Sequence, residues 1–360
     1  MGSHTLGLDM FSYELPREKI AQRPVQPYDA AKLLVIDQHG SLHDSTFRDL
    51  PAFLMPRDLL VFNNTKVIPA RLFGTLTNSG RERQVEILLL RQTHGEEWRA
   101  LGRPMKSLVP GCEVRLQGGI VAEMGPRSGD RELTVRLRGS GDGDEFLTRF
   151  GTMPIPPYIR GGKGDEQDRR DYQSPLARES GSVAAPTASL HFTESLLSRI
   201  RDAGVALAEV TLHVGPASFL ALETDSAGQI APPGGEQYFY DPEIVAQIAQ
   251  TRSKGGRVIA VGTTVVRCLE SIAAFPHQGA GWFETKLFLT PDHEFQYVDG
   301  VITNFHQPET THLLLVEALM GRELLERAYA FALENNYRFL SYGDGMFISS
   351  VAGANPKRGK

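Results

Sequence analysis

The sequence predicts an α/β protein with a small β-barrel or sandwich inserted as its own unit. Residues of about 70–150 contain five short apolar segments separated by Gly, Asp and Ser, with no convincing helix. After residue 175 the pattern changes to short apolar runs that alternate with longer segments bounded by helix start and stop signals. These two textures indicate two structural units.

The elements before residue 175 follow in order. "LLVID" (33–37) and "DLLVFNN" (58–64) are apolar runs bounded by turn formers, which is typical of buried strands. The insert then supplies "VEILLLR", "EWRALGR", "CEVRLQGG", "IVAEMG" and "RELTVRLRG". Residues 151–175 are rich in Pro, Gly and charge, which predicts a linker or mobile loop that returns to the first domain.

The second half predicts alternating helices and strands. Thr193 caps a helix "ESLLSRIRDAG" that ends at Gly204, and Asp241 with Pro242 opens the helix "EIVAQIAQTRSKGG". The strands are "LAEVTLHV", "RVIAVG" and "TKLFLT"; the other helices are "TTVVRCLESIAAF" and "LLLVEALMGRELLERAYAFALENN", the last being one long or two short helices. In such folds the strand ends face a ligand pocket.

Composition narrows the function classes. The chain has 360 residues and a net charge of -5, which does not indicate a general polyanion binder but leaves room for a local basic patch. Its two cysteines, Cys112 and Cys268, lie far apart, so a disulfide framework or zinc knuckle is disfavoured and a reducing, cytoplasmic location is expected. No segment predicts a signal peptide or a membrane span. Dinucleotide-binding, Walker, HExxH and GxSxG motifs are absent from the sequence.

Three stretches place a histidine at a predicted strand end or strand-to-helix turn. These are "AAPTASLHF", "TLHVGPASF" and "TNFHQP", with His191, His213 and His306. Each alone is equally explained by a histidine bonded to backbone. Three such loops in one α/β segment favour a shared pocket, and no short ligand spacing favours a metal.

Two glycine-containing turns carry further candidates. In "RVIAVGTTVVR" the hydroxyls of Thr263 and Thr264 open a helix, where free N–H groups suit a carboxylate or phosphate; plain helix capping is the simpler explanation for this motif alone. In "YRFLSYGDG", Tyr342 and Asp344 lie in a Gly-rich turn with the same ambiguity.

The segment "MPIPPYIRGGKGDEQDRRDYQ" places Tyr158 and Tyr172 among several cations, including Arg160. Aromatic rings among cations can stack bases and hold phosphates, although a solvated loop is the default interpretation.

Together these stretches resemble one family, the S-adenosylmethionine:tRNA ribosyltransferase-isomerases of queuosine biosynthesis. The matching segments span almost the whole chain in the family's order: "YELPREKIAQRP", "DLLVFNNTKVIPARLFG", "MPIPPYI", "GSVAAPTASLHFT", "TLHVG", "GGRVIAVGTTVVRCLES", "VDGVITNFHQPETT" and "YRFLSYGDGMFI". The resemblance implies a large α/β-barrel-like catalytic domain, assigned to 1–69 and 152–360, with a small β-barrel domain inserted at 70–151.

The resemblance also implies the reaction. The ribosyl part of S-adenosylmethionine is transferred to 7-aminomethyl-7-deazaguanine at the tRNA wobble position and isomerised, which gives epoxyqueuosine-tRNA and releases adenine and methionine. S-adenosylmethionine is then a co-substrate, and tRNA is the partner. No metal is expected, and no association with a membrane. The chain is expected to be a cytoplasmic monomer. Such chemistry needs a base beside the sulfonium, polar groups for the sugar hydroxyls and acid help for adenine.

The resemblance further implies roles for the candidate residues. The catalytic candidates are His191, His213 and His306. The donor-binding candidates are Thr187, Thr263, Thr264, Arg267, Asn304, Tyr342 and Asp344. The candidates for binding the acceptor are Tyr158, Arg160, Tyr172, Gln173 and Glu236.

Several segments depart from the family pattern. Residues 217–219 are Ala-Ser-Phe in place of Gly-Thr-Phe, only Glu236 matches a Met-His-Ser-Glu element, and Asp171 replaces an arginine. From these departures we predict weaker tRNA binding with a shallow salt dependence. Two alternatives stay open: a diverged paralogue with another acceptor, and a catalytically silent tRNA-binding relative.

Overall fold

A computed structural model describes residues 11–78, 80–128, 132–141, 143–215, 234–276 and 279–351. These residues form two compact units. The first, the sheet unit, takes in the described residues up to Thr65, Gln173–Glu179 and those from Pro186 onward. The second, the barrel unit, comprises Lys66–Tyr172 and Ser180–Ala185. The predicted fold class is confirmed, since a large mixed sheet with helices and a closed six-stranded β-barrel are both present.

Strands and helices are distributed over both units. The strands are β1 (Lys32–Ile36), β2 (Leu42–Thr46), β3 (Leu59–Asn63), β4 (Thr65–Val67), β5 (Arg71–Asn78), β6 (Arg81–His94), β7 (Glu97–Arg103), β8 (Glu113–Leu116), β9 (Val121–Ser128), β10 (Glu132–Arg138), β11 (Glu179–Ser182), β12 (Ala206–Leu212), β13 (Glu236–Tyr240), β14 (Val258–Val261), β15 (Gly281–Thr285), β16 (Gly300–Asn304) and β17 (Gly345–Ile348). The α-helices are α1 (Gly143–Phe150), α2 (Asp168–Asp171), α3 (Glu194–Asp202), α4 (Glu243–Ser253), α5 (Thr263–Ala274), α6 (Thr311–Met320) and α7 (Arg322–Glu334). Short 3₁₀ helices cover Arg17–Lys19, Tyr28–Ala30, Phe47–Phe53, Met105–Ser107, Gln117–Gly119, Arg160–Gly162 and Thr187–His191.

A nine-stranded mixed sheet organises the sheet unit, in the order β15-β13-β12-β3-β14-β16-β17-β1-β2. Strands β3, β14, β16 and β17 are buried along their whole length, as expected when both faces of a sheet are covered. Strands β12, β3, β14 and β16 run parallel to one another. Their carboxyl ends therefore lie along one border of the sheet, here called the carboxyl edge.

Two carboxylates, Asp58 and Asp299, fix the opposite border, the amino edge. Asp58, with no exposed surface, accepts from the guanidinium of Arg257 at 2.6 Å and from its backbone N–H at 2.9 Å. Asp299 accepts from Arg252 at 2.9 Å and from the N–H of Val258 at 2.9 Å. Charge-assisted bonds of this kind are roughly twice as strong as neutral ones, so they hold the starts of β3, β14 and β16 together.

Most predicted helix boundaries of the sheet unit match the structure. Thr193 caps α3, because its hydroxyl accepts the N–H of Leu196 at 3.1 Å. The long C-terminal helical segment is two helices, α6 and α7, separated by Gly321 with φ of +80°. The predicted strand "TKLFLT" is wrong: β15 ends at Thr285, whose hydroxyl accepts the N–H of Leu287 at 3.1 Å and turns the chain away from the sheet.

The barrel unit closes in the order β10-β7-β6-β5-β8-β9. Buried and exposed residues alternate along β8 and β10, as a barrel with a filled interior requires. Contrary to the sequence analysis, which found no convincing helix in this region, α1 lies at its end and buries Phe146 and Leu147 in the barrel core.

The barrel unit extends past residue 151, the predicted limit of the insert. The backbone N–H and carbonyl of Arg71 pair with those of Thr152 at 3.2 and 2.9 Å. The guanidinium of Arg71 also donates to the carbonyl of Ile155 at 3.3 Å and to that of Gly162. These contacts keep residues 152–172 with the barrel strands.

Candidate active site

Loops that follow the parallel strands meet at the carboxyl edge. The last residues of β3, β12, β14 and β16 are Asn63, Leu212, Val261 and Asn304. Crevices along this border are where open α/β sheets bind ligands. Two of the three predicted donor-binding threonines, Thr263 and Thr264, and two of the three predicted histidines, His213 and His306, follow shortly after these strands.

One cleft lies at the start of α5. Gly262 precedes this helix with φ of +99°, a conformation that other residues rarely adopt, and has no side chain to cap the helix. The cleft has a volume of about 50 Å³, below the ~300–1,000 Å³ usual for ligand pockets, so it can receive one end of a ligand. It is lined by Glu236, Thr263, Thr264, Arg267, Leu287, Phe288, Leu289, Thr311, His312 and Leu315. A helix N-terminus beside hydroxyls and a cation favours an anionic group.

A buried ion pair forms one wall of this cleft. Arg267 Nη1 donates to Glu236 Oε2 at 2.6 Å, and the two side chains are 11% and 7% exposed. Glu236 Oε1 accepts the N–H of Gly215 at 3.0 Å. Burial raises the pKa of Glu236, and the charge of Arg267 offsets this effect only in part. Arg267 Nη2 donates to the carbonyls of Gly234 and Thr285, at 3.2 and 3.4 Å. Its Nε is buried without an acceptor among the described residues.

Asn63 joins the cleft to the neighbouring strand. Its Nδ2 donates to the carbonyl of Leu212 at 2.9 Å and to Thr264 Oγ1 at 3.4 Å. Its Oδ1 accepts the N–H groups of Leu212 and Thr65, at 3.0 and 3.2 Å. An amide whose donors and acceptor are all used in this way fixes the spacing between β3, β12 and the start of α5.

His213 lies beside Thr65, outside the described lining of the cleft. Its Nδ1 is 2.8 Å from Thr65 Oγ1. Its ring stacks on Trp282 with centroids 4.8 Å apart and planes 21° apart. Burial lowers the pKa of His213 to about 4, so the imidazole is neutral at pH 7.

Thr187, His191 and Asn304 form a second group at the carboxyl edge. Thr187 Oγ1 donates to Asn304 Oδ1 at 2.8 Å, and Asn304 Nδ2 is 3.2 Å from His191 Nε2. The ring of His191 stacks on Phe47 at 4.2 Å. Burial, followed by the charge of Arg338, lowers the pKa of His191 to about 3. His191 is therefore a neutral imidazole whose Nε2 accepts from an amide.

His306 stacks on a histidine that the sequence analysis did not select. Its Nε2 is 2.9 Å from Thr303 Oγ1. Its ring lies 5.2 Å from that of His312, with the planes 18° apart. Burial, and then His312, hold the pKa of His306 well below its ordinary value. Of these two rings, His312 is the one that lines the cleft.

Tyr342 and Asp344 are buried, with 1% and 3% of their surface exposed. Asp344 Oδ1 accepts the N–H of Lys32 at 3.0 Å, and Oδ2 accepts the N–H of Arg338 at 2.7 Å. The carboxylate thus holds the start of β1 to the turn before β17. Neither residue belongs to the described lining of the cleft.

The predicted acceptor-binding residues are divided between the units. Tyr158, Arg160 and Tyr172 belong to the barrel unit, whereas Gln173 and Glu236 belong to the sheet unit. Arg160 donates to the buried carboxylate of Asp168 at 2.5 Å. Tyr172 has no exposed surface. The departures at residues 217–219 lie outside the described residues.

The structure therefore brings four predicted residues together in the cleft, namely Thr263, Thr264, Arg267 and Glu236. Sequence reasoning missed Asn63, His312 and the apolar wall of Leu287, Phe288 and Leu289. The available signal for His312 was a histidine between "PETT" and the start of a predicted helix at Leu313. Within the described ranges, no group of three or more His, Cys, Asp or Glu side chains is arranged to hold a metal ion. The helices of that part of the chain are all too short or too polar to cross a bilayer.

Comparison with known proteins decides the family. The sequence model described as "Queuosine biosynthesis protein" matches residues 8–348. The chain belongs to this family. It is 45% identical over 346 residues to the S-adenosylmethionine:tRNA ribosyltransferase-isomerase of Anaeromyxobacter sp. (strain Fw109-5), covering 95% of this chain and 99% of that protein. It is 43% identical over 347 residues to the protein of the same name from Erythrobacter litoralis (strain HTCC2594), covering 95% and 97%.

A solved structure agrees with these relatives. The crystal structure of S-adenosylmethionine tRNA ribosyltransferase from Thermotoga maritima matches with a TM-score of 0.53 and 34% identity, covering 94% of this chain and 99% of that one. The predicted family and enzyme class, a ribosyltransferase-isomerase of queuosine biosynthesis, are thereby confirmed.

Proposed function

We propose that this chain transfers the ribosyl part of S-adenosylmethionine to 7-aminomethyl-7-deazaguanine at the tRNA wobble position and isomerises it. The products are epoxyqueuosine-tRNA, adenine and methionine. The observation that carries the proposal is the cleft at the start of α5. It combines the cation of Arg267, two hydroxyls and an apolar wall, which together suit the carboxylate end of the donor.

The donor's methionine end is assigned to the start of α5. A carboxylate there meets the first N–H groups of the helix, the hydroxyls of Thr263 and Thr264, and the charge of Arg267. The nearby group of Thr187 and Asn304 supplies further polar atoms at the same edge. Asp344 reaches this edge through its backbone carbonyl, which accepts from Asn304 Nδ2 at 3.4 Å, and Tyr342 is assigned to the same buried turn.

Acid and base work is assigned to neutral imidazoles. His191, His213 and His306 each have a lowered pKa, so each is unprotonated at pH 7 and able to accept a proton. Each also has one ring nitrogen within hydrogen-bonding distance of a side chain, which fixes its orientation. A base must be unprotonated and oriented before it can act beside a sulfonium.

The residues that bind the tRNA acceptor are proposed in the same way. The tRNA is assigned to Tyr158, Arg160, Tyr172, Gln173 and Glu236. The chain is proposed to act as a monomer in the cytoplasm without a metal. Tyr172, which has no exposed surface, is assigned to this set as the residue that orders the segment from within.

One observation bears on the alternative of a diverged paralogue. That alternative depends in part on Asp171, which replaces a family arginine. Asp171 is only 3% exposed, so its carboxylate is not offered to solvent, where an RNA phosphate would approach. This burial favours the family reaction over a change of acceptor.

The test is incubation of the protein with S-adenosylmethionine and tRNA that bears the deazaguanine precursor, with mass analysis of the wobble nucleoside. We expect the mass of epoxyqueuosine and one adenine released per modified tRNA. Matched tRNA with guanine at the wobble position is the control. Binding of S-adenosylmethionine with no nucleoside change would support a paralogue with another acceptor, and binding of tRNA alone would support a silent relative.

A further inference from the structure

The barrel unit carries an excess of positive charge that the whole chain does not. Residues 66–172 contain 18 Lys and Arg against 15 Asp and Glu, a net charge of +3, whereas the whole chain has a net charge of -5. Several of the barrel arginines are bound to carboxylates of the same unit, as Arg115 is to Glu82 at 2.7 Å and Arg99 to Glu132 at 2.8 Å. A paired arginine offers little net charge to an anion, so the cations without such a partner are the ones to examine.

Three cations meet at one turn of this unit. The turn is the 3₁₀ helix Met105–Ser107, here called the cationic turn. Arg83, from β6, donates through Nη1 to the hydroxyl of Ser107. Arg127, from β9, donates through Nη2 to the carbonyl of the first residue of the turn at 2.8 Å. Lys106 lies in the turn itself, and all three cationic residues are exposed.

The carboxylates of the barrel unit do not neutralise these three cations. Among the described residues, no ion pair joins a carboxylate to Arg83, Lys106 or Arg127. The acids beside them in the strands, Glu82 and Glu132, are engaged in the ion pairs named above. Like charges that are held close together repel one another and lower stability. Folding stability therefore does not account for this cluster, whereas an anionic ligand does.

The barrel core holds the cationic turn in place. Leu108, which follows the turn, is 1% exposed and packs in this core. A Cβ on Gly102 would lie 2.2 Å from Leu108 Cδ1, so the glycine leaves the room that this leucine occupies. Arg127 Nη2 also donates to the carbonyl of Leu108 at 3.4 Å, while Nε and Nη1 of Arg127 have no acceptor among the described residues. Donors positioned before binding lose less conformational entropy when a ligand arrives.

The chemistry of the cationic turn fits phosphate. A guanidinium presents a planar fork of N–H donors that matches phosphate oxygens, and a lysine ammonium adds a point charge. Two arginines and one lysine around a single turn can therefore contact neighbouring phosphates of a nucleic-acid backbone. The turn belongs to the barrel unit, whereas the residues that line the donor cleft belong to the sheet unit. The phosphates that it contacts are then not those of the nucleotide that reacts.

We propose that the cationic turn binds the phosphate backbone of the tRNA at a place outside the reacting nucleotide. This assignment rests on the proposed function, which supplies tRNA as the partner, and it adds a surface to the acceptor-binding residues named above. Arg83, Lys106 and Arg127 hold the tRNA through charge and do not read its sequence, so they set the affinity for tRNA and not the rate of the chemical step. The departures from the family pattern predict a shallow salt dependence, and this turn supplies a large share of what remains.

The experiment measures tRNA affinity of the full-length protein between ~50 and ~200 mM salt. The wild type is compared with the triple variant Arg83→Gln, Lys106→Gln and Arg127→Gln. The control removes three exposed arginines of the same unit that are bound to glutamates, through Arg115→Gln, Arg136→Gln and Arg138→Gln. We expect the slope of log affinity against log salt to be about 2–3 smaller in the triple variant. The ratio of wild-type to variant affinity should then fall about 16–64-fold over this fourfold range of salt. The slope of the control should stay close to that of the wild type.

Further measurements separate charge from structure. Lys106→Gln alone, whose side chain makes no hydrogen bond or ion pair with the described residues, should lower the slope by about 1 and leave thermal unfolding unchanged. Arg83→Lys and Arg127→Lys keep the charge and should keep most of the slope. At saturating tRNA, turnover and donor affinity of the triple variant should equal those of the wild type, while the KM for tRNA rises.

The outcomes separate this inference from the proposed function. Wild-type protein that binds tRNA but leaves the wobble nucleoside unchanged contradicts the proposed function, and the salt slopes still decide the role of the cationic turn. Active wild type with an equal slope in the triple variant overturns only the role of the turn. An equal loss of slope in the control also overturns it, because the total charge of the barrel unit would then be responsible. Wild-type protein that binds no tRNA overturns both.

Discussion

The buried pair of Glu236 and Arg267 should show strong energetic coupling. Removing either partner leaves a buried charge without its counterion, which costs about 3–5 kcal/mol. The contact of 2.6 Å and exposures of 11% and 7% place this pair in that class. Replacing both by apolar side chains removes both charges together and is often close to neutral. The raised pKa of Glu236 supports this, since it shows that burial of the carboxylate outweighs the attraction of Arg267.

The variants are Glu236→Leu, Arg267→Met and the double variant. Each single variant should lose about 3–5 kcal/mol of unfolding free energy, and the double variant should lose less than either, which gives a coupling energy of several kcal/mol. The chain has two tryptophans, Trp98 in the barrel unit and Trp282 in the sheet unit, so Trp282 fluorescence in a Trp98→Phe background reports unfolding of the sheet unit by urea. A double variant that loses the sum of the two single losses would refute the reasoning.

Three further predictions concern the carboxyl edge. Gly262→Ala should lower the free energy of unfolding in urea by about 1–3 kcal/mol, because a φ of +99° strains any residue with a side chain. The control Gly281→Ala, at an ordinary φ, should change this free energy little. His191→Gln should flatten the pH dependence of stability. The native pKa of His191, about 3, lies below the unfolded value of 6.5, so its contribution to stability is present above pH 6.5 and is lost as the pH falls toward 3. Over this range the free energy of unfolding should fall by about 1.4 kcal/mol per pH unit. A variant with an unchanged slope would contradict this. Asp344→Asn should cost about 1.5–3 kcal/mol of stability, since the carboxylate accepts the backbone N–H groups of Lys32 and Arg338. The affinity for the donor, measured by calorimetry, should not change. A weakened affinity would show that Asp344 binds the donor.

Local signals carried most of the fold prediction. Thr193 and Gly204 bracket α3 because a hydroxyl cap and a residue at φ of +82° are requirements of a single helix, visible in sequence. The strand "TKLFLT" failed for the opposite reason. Its apolar residues Leu287, Phe288 and Leu289 form one wall of the cleft. An apolar run alone does not distinguish such a wall from a strand.

The candidate site was partly predictable. Thr263, Thr264 and Arg267 were found because a strand, a glycine and a helix start lie together in sequence. Asn63 and His312 were not found, since the groups that each joins around the cleft come from distant parts of the chain. Asn63 bonds to Leu212 and Thr264, and His312 reaches the cleft only because α6 packs near α5. Such pairings depend on tertiary structure, which spacing along the chain does not encode.

The two borders of the main sheet have different roles, one in stability and the other in binding. Asp58 and Asp299 clamp the strand starts at the amino edge, while the donor cleft opens among loops at the other border. Substitutions in those loops leave the clamps intact, so lineages can explore new acceptors or turnover rates while the sheet keeps folding. Evolutionary drift in this family should therefore accumulate as changes of specificity at one border, and the residues of the clamped border should be the last to vary.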